Sequence, residues 1–514
     1  MQRRSSSATG VGSAPVSGYP RPGTVAPYPL AGLARVLGVP PPPGEVSLTG
    51  VTHASGSVRP GDLYAALPGA RRHGAEFVGA AVAAGAVAVV TDPDGVQAAA
   101  DAGVPALVVA DPRRALGGLA AQVYGDPTAK LTVLGITGTA GKTSTAYLMD
   151  AGLRATGVLP GVIGTVETRL GDDRLDSKHT TPEAPDLQAL CAVAVERGIT
   201  TMVMEVSSHA LTLGRVEGTR FAVGGFTNLG VDHLDFHADL ADYFAAKAML
   251  FDGRCAHEVV NLDDPAGRKL VKPETITVSA AGDPAATWRA GGIRGAGFQQ
   301  EFDVLGPGGV ELSGAVRLPG VHNVGNALIA LASLVAVGVD PRVALLGIAD
   351  CRGVPGRMEL VDAPGPVRGV VDYAHKPDAV AAVLTALRPV TDGRLICVIG
   401  AGGDRDKQKR PLMGEAAGKH ADLVVVTDDN PRYEDPAAVR AELLTGTRVG
   451  VAEVIEVAGR RTAIAEAVSR ARLGDTVVVL GKGHEQGQEV AGEVHPFDDR
   501  IELAAALTER FGAR

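Results

Sequence analysis

At 514 residues the chain is too long for one hydrophobic core, and length alone points to about three domains. Apolar residues make up 45% and charged residues 21%, the balance of an ordinary globular protein rather than a disordered or membrane-embedded one. The formal net charge of -9 argues against a nucleic-acid-binding surface, while leaving room for a local basic pocket that takes phosphates.

Residues 1–44, rich in Ser, Pro and Gly and ending in Pro40-Pro41-Pro42-Pro43, read as a disordered tail. Over 45–129 the apolar runs 86–90 and 106–109 alternate with Ala-rich helical stretches, the pattern of a small α/β domain. Over 130–352 strands are expected at 131–137, 201–206 and 221–227, with helices at 186–197 and 240–251. Buried strands alternating with helices imply a parallel sheet covered on both faces. Over 353–514 strands at 369–372, 395–400, 423–427 and 476–481 alternate with helices such as 377–387 and 501–511, a second doubly wound, Rossmann-like domain. The expected fold is therefore α/β in three domains, with ligands beyond the carboxyl ends of the strands. Cys191, Cys255, Cys351 and Cys397 show neither CxxC spacing nor a histidine cluster, so neither a zinc site nor a disulfide framework is expected. No apolar run reaches the roughly 18 residues of a membrane span. Arg3 and Arg4 are followed by Ser, Pro and Gly where a signal peptide needs an apolar core. A cytoplasmic protein is the expectation.

The strongest local signal is Thr137-Gly138-Thr139-Ala140-Gly141-Lys142-Thr143-Ser144, between an expected strand and helix. Glycines let backbone N–H groups close around phosphate oxygens, and the helix N-terminus adds positive potential. Lys142 can then pair with the β- and γ-phosphates, and the Thr143 hydroxyl can ligate magnesium. The general phosphate-loop motif asks for glycine where Ile136 stands, so a Gly-rich turn followed by a lysine is the competing explanation.

The variant TGTxGKT, with 204–209 (MEVSSH), 227–229 (TNL), 232–235 (DHLD), 243–247 (YFAAK) and 321–323 (VHN), resembles the Mur ligase family and the similar folylpolyglutamate synthases. The resemblance implies ATP as co-substrate and two magnesium ions. Glu205, ending an apolar strand next to the phosphate-loop strand, is a sensible magnesium-ligating carboxylate. The resemblance makes His233 a ligand of a second metal, and it makes Lys247 an N6-carboxylysine, a carbamate that ligates metal. From sequence alone Lys247 is a solvated helix lysine. Asn323 and Arg357 would contact base or phosphate and Asp372 the ribose, although Asp372 reads equally well as a helix cap before Pro377.

Three segments, each after an expected strand, bear on the second substrate: 402–405 (GGDR), Asp429-Asn430-Pro431-Arg432, and 481–485 (GKGHE). Diaminopimelate carries a distal carboxylate and amine. Arginine offers a planar fork for the carboxylate, and Glu485 can accept hydrogen bonds from the ammonium. The resemblance makes Arg405, Asp429, Asn430, Pro431, Arg432, Gly481 and Glu485 the diaminopimelate site; an Asn-Pro turn is the plain alternative for 429–432. For UDP-MurNAc-L-Ala-D-Glu, Thr180, Thr181, Ser207 and Arg215 match positions at the muramoyl-peptide end. His53, Ser55, Ala70, Arg71 and Arg72 match the uridine end, where 53–56 (HASG) departs from the family's Asp-Ser-Arg; Leu213 stands where relatives often have Gln. The implied activity is that of an ATP-dependent ligase. It joins diaminopimelate, with the meso isomer expected, to the D-glutamate γ-carboxylate through an acyl phosphate, and acts as a monomer without nucleic acid. Lys142, Glu205, His233 and Lys247 form its catalytic set. A lysine- or folate-using relative, a phosphate-loop ATPase without ligase activity, and a silent UDP-sugar binder are the competing readings.

Overall fold

The computed structural model describes residues 19–69, 71–175, 179–296 and 298–512. The chain divides into two compact units, one of residues 1–137, 159–224 and 233–256, the other of 138–158, 225–232 and 257–514.

The first unit opens with a parallel sheet, Gly50–Thr52, Asp62–Ala66, Ala88–Thr91 and Ala106–Val108 in that order. Its side chains alternate between two cores. Leu63, Ala65, Ala88 and Val90 enter one with Leu116, Leu119 and Val123, whereas Tyr64, Ala66 and Val89 enter the other with Val78 and Ala81. Burial on both faces is why these strands read as unbroken apolar runs.

The expected tail is corrected here. Leu30–Leu37 is a helix whose Leu30, Leu33 and Ala34 are buried in the first of those cores. Tyr28–Pro29 pairs antiparallel with Ser47–Leu48, and Arg21 donates to both oxygens of Asp62 at 2.8 and 2.7 Å. Leucines at i, i+3 and i+7 place apolar side chains on one helix face, a signal diluted by the Pro- and Gly-rich sequence on either side. Residues 1–18, also assigned to the tail, lie outside the described residues, as does Ala70 of the expected uridine contacts.

In the same unit Thr201–Glu205 pairs in parallel with both Thr132–Thr137 and Gly161–Ile163. This places Glu205 opposite Ile136, at the end of the strand that leads into the phosphate loop. Thr168–Leu170 and Asp173–Leu175 extend the pairing antiparallel.

In the second unit Cys255–Asn261, Ile276–Ser279 and Trp288–Ala296 pair in parallel, then Gln299–Gly306 and Val310–Val316 turn back antiparallel. The mostly parallel sheet expected for 130–352 turns antiparallel at this end, where strands joined by short turns replace strand–helix crossovers. The C-terminal sheet has the order Glu359–Val361, Arg368–Asp372, Thr476–Leu480, Leu395–Ile399, Leu423–Val426, Glu453–Glu456. All of it is parallel except the first edge strand. Val371, Ile396, Val398, Val425, Val477 and Val479 pack on one face against Ile464, Val468, Leu503 and Leu507. No helix of the described residues is long and apolar enough to cross a membrane.

Candidate functional site

The phosphate loop follows Thr132–Thr137 and opens the helix Lys142–Ala155, whose N-cap Gly141 leaves the first-turn N–H groups without a side-chain cap. Gly138 (φ 144) and Gly141 (φ 86) take backbone angles that other residues avoid. A Cβ at Gly138 would stand 1.8 Å from Thr227 Oγ1, and one at Gly141 would stand 2.6 Å from Asn326 Oδ1. Residues 227–230 brace the loop. Thr139 N–H donates to Asn228 O at 2.9 Å, Ala140 N–H to Asn228 Oδ1 at 3.0 Å, and Thr227 Oγ1 to Ala140 O at 2.6 Å. Lys142 Nζ donates to Gly138 O and Thr139 O at 2.7 and 3.0 Å. Thr143 is buried in the helix's first turn and Ser144 half-buried beside it.

Asn323 is 3% exposed and spends its amide inside the fold, donating to Pro319 O and accepting from Asn326 Nδ2 at 2.9 and 3.0 Å. The loop-facing residue is Asn326, one helical turn on and not named from sequence. The carboxylate of Asp372, also buried, accepts Met358 N–H and Ala374 N–H at 2.7 Å each. Burial raises its pKa, with Arg357 opposing. The Arg357 guanidinium lies 4.7 Å from the Tyr373 ring centre, and Lys376 forms an ion pair with Asp232. His375 Nδ1 lies 2.8 Å from Tyr373 O, which can only accept, so that nitrogen carries the proton. Burial pushes His375 and His484 down to about 4.

In the first unit the residues expected to grip the muramoyl peptide form one network around Glu205. Glu205 is 1% exposed; Oε1 accepts Thr165 N–H at 2.8 Å and Oε2 accepts Thr165 Oγ1 at 3.1 Å. Thr165 Oγ1 meets Thr180 Oγ1 at 3.0 Å. Thr181 Oγ1 donates to Glu205 O and accepts Ser207 N–H, at 2.8 and 3.2 Å. Arg215 reaches Thr181 O at 3.3 Å and Glu183 at 2.8 Å, and its buried Nε has no hydrogen-bond partner among the described residues.

Beside this network His233 (φ 54), His209, Phe236, His237 and Tyr243 form an aromatic cluster, with His209–His233 centroids 4.7 Å apart. Lys247 Nζ sits 4.2 Å from the Tyr243 ring centre, on a side chain from a residue 1% exposed. A solvated helix lysine is thereby excluded. Both nitrogens of His237 are engaged, with Ser208 Oγ and Asp242 at 3.0 and 3.1 Å. Among the described residues no three His, Cys, Asp or Glu side chains form a metal-binding group. A carboxylate has about four acceptor sites, so Glu205 keeps lone pairs for a hard cation, and a carbamate on Lys247 would add oxygen donors.

The N-terminal sheet carries a cavity of about 320 Å³ lined by His53, Ala54, Ser55, Gly56, Arg72 and Arg113 with the aromatic walls Tyr64 and Phe77. The departing HASG segment therefore faces the cavity. Arg72 lies over Phe77 at 4.5 Å and donates to Glu76. Arg71 is exposed and does not line the cavity.

The three C-terminal motifs converge beyond the adjacent ends of Thr476–Leu480, Leu395–Ile399 and Leu423–Val426. A Cβ at Gly481 would meet Asp429 Oδ2 at 2.4 Å. Asn430 Nδ2 donates to Glu485 Oε2 at 2.9 Å, and Lys482 Nζ donates to both Asn430 Oδ1 and Glu485 Oε2, at 2.9 and 3.0 Å. Arg432 (φ 52) donates through Nη1 to Gly403 O at 2.7 Å and through Nε to Glu489 Oε2 at 3.0 Å. Arg405 is exposed beside them. Two fully buried arginines, silent in the sequence reading, pin these loops. Arg410 reaches Gly402 O, Glu434 and Glu442. Arg460 reaches Asp428 O, Leu480 O and both oxygens of Asp499. A hairpin missed from sequence, Gly487–Val490 with Glu493–Pro496, completes the cradle. Its two-residue loop Ala491-Gly492 has positive φ at both positions, the signal of a tight hairpin turn.

Comparison with known proteins covers most of the chain. Residues 47–124 match the model described as Mur ligase family, catalytic domain; 136–334 match the Mur ligase middle domain; and 356–483 match the Mur ligase glutamate ligase domain. The UDP-N-acetylmuramoyl-L-alanyl-D-glutamate–2,6-diaminopimelate ligase of Streptomyces coelicolor is 53% identical, over 96% of this chain and 99% of its own. The Corynebacterium glutamicum ligase of the same name is 47% identical over 91% and 93%. A UDP-N-acetylmuramyl-tripeptide synthetase of Leifsonia xyli is 43% identical over 90% and 92%. A solved structure of a UDP-N-acetylmuramoyl-L-alanyl-D-glutamate–2,6-diaminopimelate ligase superposes with a TM-score of 0.66 at 31% identity, covering 90% of this chain and 95% of that one.

Proposed function

The chain belongs to the Mur ligase family and is an ATP-dependent ligase joining 2,6-diaminopimelate to UDP-N-acetylmuramoyl-L-alanyl-D-glutamate, and we propose how its residues divide that work. The observation that carries the assignment is the convergence of the segments 402–405, 429–432 and 481–485 at three adjacent strand ends.

The D-glutamate γ-carboxylate attacks the γ-phosphorus of ATP, giving an acyl phosphate and ADP. The diaminopimelate amine, once deprotonated, attacks the acyl carbon, and phosphate leaves as the amide forms. Residues 138–144 bind the nucleotide phosphates through the Lys142 ammonium and the uncapped first-turn N–H groups of the helix, which are already fixed before charge develops. Asn323 supports Asn326 against that loop, and Arg357 and Asp372 frame the nucleoside end. Thr180, Thr181, Ser207 and Arg215 orient the peptide carboxylate. His53, Ser55 and Arg72 hold the uridine end in the cavity with Tyr64 and Phe77. Magnesium, when bound, neutralises phosphate charge; in the phosphate loop the Thr143 hydroxyl would serve as a ligand, and in the first unit Glu205, His233 and Lys247 as its carbamate. Arg432 and Arg405 take the distal carboxylate of diaminopimelate, and Glu485 takes the distal ammonium.

An ATP-consumption assay with the UDP-linked dipeptide and a panel of meso- and LL-diaminopimelate, L-lysine and L-ornithine tests the assignment. Turnover confined to diaminopimelate is expected; equal use of L-lysine would overturn the role given to Arg432. Native intact-mass measurement tests the carbamate, with one carbon dioxide added at Lys247 as the expected result.

A further inference from the structure

Arg432 does not hold itself in place. Its φ of 52° is one that side-chain-bearing residues seldom adopt. The neighbouring hairpin over-determines it, with Arg432 N–H donating to Glu489 O at 3.1 Å and Ala491 N–H donating to Arg432 O at 2.7 Å. Glu489 N–H also donates to Asn430 Oδ1 at 3.0 Å, so the same residue fixes the partner of Glu485. Its carboxylate then takes Arg432 Nε at 3.0 Å.

We propose that Glu489 is a positioning residue for amino-acid selection: its carboxylate locks the Arg432 guanidinium so that the Nη1/Nη2 end, rather than the Nε edge, meets the distal carboxylate of the substrate. This rests on Arg432 being the carboxylate ligand. A guanidinium has five N–H donors. Glu489 takes the Nε–H and Gly403 O takes one Nη1–H, which leaves the other Nη1–H and both Nη2–H groups for a planar, two-point contact. A long side chain without that anchor samples many rotamers, and a fork aimed at random does not discriminate a carboxylate from another polar end. Nothing in the 429–432 motif encodes this; the anchor comes from a strand 57 positions later.

The test is steady-state kinetics on the full chain for four variants: Glu489→Thr, which keeps a strand-forming residue too short to reach Nε; Glu489→Gln, which keeps an acceptor of the same reach; Arg432→Ala; and Glu489→Thr with Arg432→Ala. The expected result is a KM for diaminopimelate raised about tenfold in Glu489→Thr, with kcat and the KM values for ATP and UDP-dipeptide within about twofold, and recovery to within about threefold in Glu489→Gln. The double variant should be no worse than Arg432→Ala alone, because Glu489 acts through that side chain. A normal diaminopimelate KM in Glu489→Thr, beside a raised one in Arg432→Ala, overturns the positioning role and leaves the cradle standing. A normal KM in Arg432→Ala overturns the cradle and the positioning role with it. All three KM values rising together in Glu489→Thr, or multiplicative losses in the double variant, would mean a structural role and also overturn it.

Discussion

The phosphate loop and the amino-acid cradle both sit at the carboxyl ends of parallel strands, yet they are held by opposite means. The loop is one contiguous segment closed by main-chain geometry: two glycines at positive φ, and N–H groups paired to the 227–230 segment. The cradle is assembled from segments far apart in the chain and is held by buried charge. Arg410 ties Gly402 to Glu434, and Arg460 ties Asp428 and Leu480 to Asp499. A site of the first kind tolerates loss of its working side chain, because the glycines and the 227–230 segment hold the frame and Lys142 adds bonds to two loop carbonyls. A site of the second kind loses shape when a supporting ion is removed, because a buried partner charge is left uncompensated.

The largest difference should appear in Lys142→Ala. Turnover is expected to fall on the order of 10³-fold or more, since Lys142 serves the transferring phosphate, while the thermal midpoint stays at wild type. A large fall in midpoint would show that the loop needs its lysine to fold. In the cradle the matching experiment is Arg460→Ala, which strands Asp499 at 0% side-chain exposure and should cost about 3 to 5 kcal/mol in urea unfolding. Arg460→Met paired with Asp499→Leu should recover part of that, and a single variant as stable as wild type would refute the buried-ion account.

Arg432→Ala should lose at least about tenfold in kcat/KM for diaminopimelate with the KM for ATP unchanged. L-Lysine should remain a poor substrate, because deleting a contact does not build a new pocket. The smallest effect concerns pH and separates the regions again. His484, in the cradle's third segment, and His375 are depressed to about 4 by burial, below the ordinary imidazole value. The unfolded chain therefore takes up protons first as pH falls through about 6.5, and stability is lost between there and about 4. The unfolding free energy from urea titration should drop between pH 7 and pH 5.5 by an amount on the order of 1 kcal/mol for each imidazole. His484→Gln should remove about half of that dependence; an unaltered pH profile in this variant would exclude His484 as a source.

What could be read from residues alone was local. Backbone requirements are encoded where they occur, so the glycines of 138–141 and the apolar runs at 132–137, 201–205, 395–399 and 476–480 announced a phosphate loop and two sheets. The motifs 429–432 and 481–485 stood out by their place after expected strands, and only the family resemblance made them a binding site rather than turns. The helix Leu30–Leu37 was hidden by its flanks, and the antiparallel turn-back over 288–316 by the alternation of strands and helices before it. Three-dimensional pairing settled the rest. Asn326 joins Asn323 beside the loop because a helix presents one face to its neighbour. Arg410, Arg460 and Glu489 carry no motif, since each acts on a carbonyl or side chain brought near only by folding. Local chemistry names the groups that react; the long-range contacts that aim them exist only once the chain has closed.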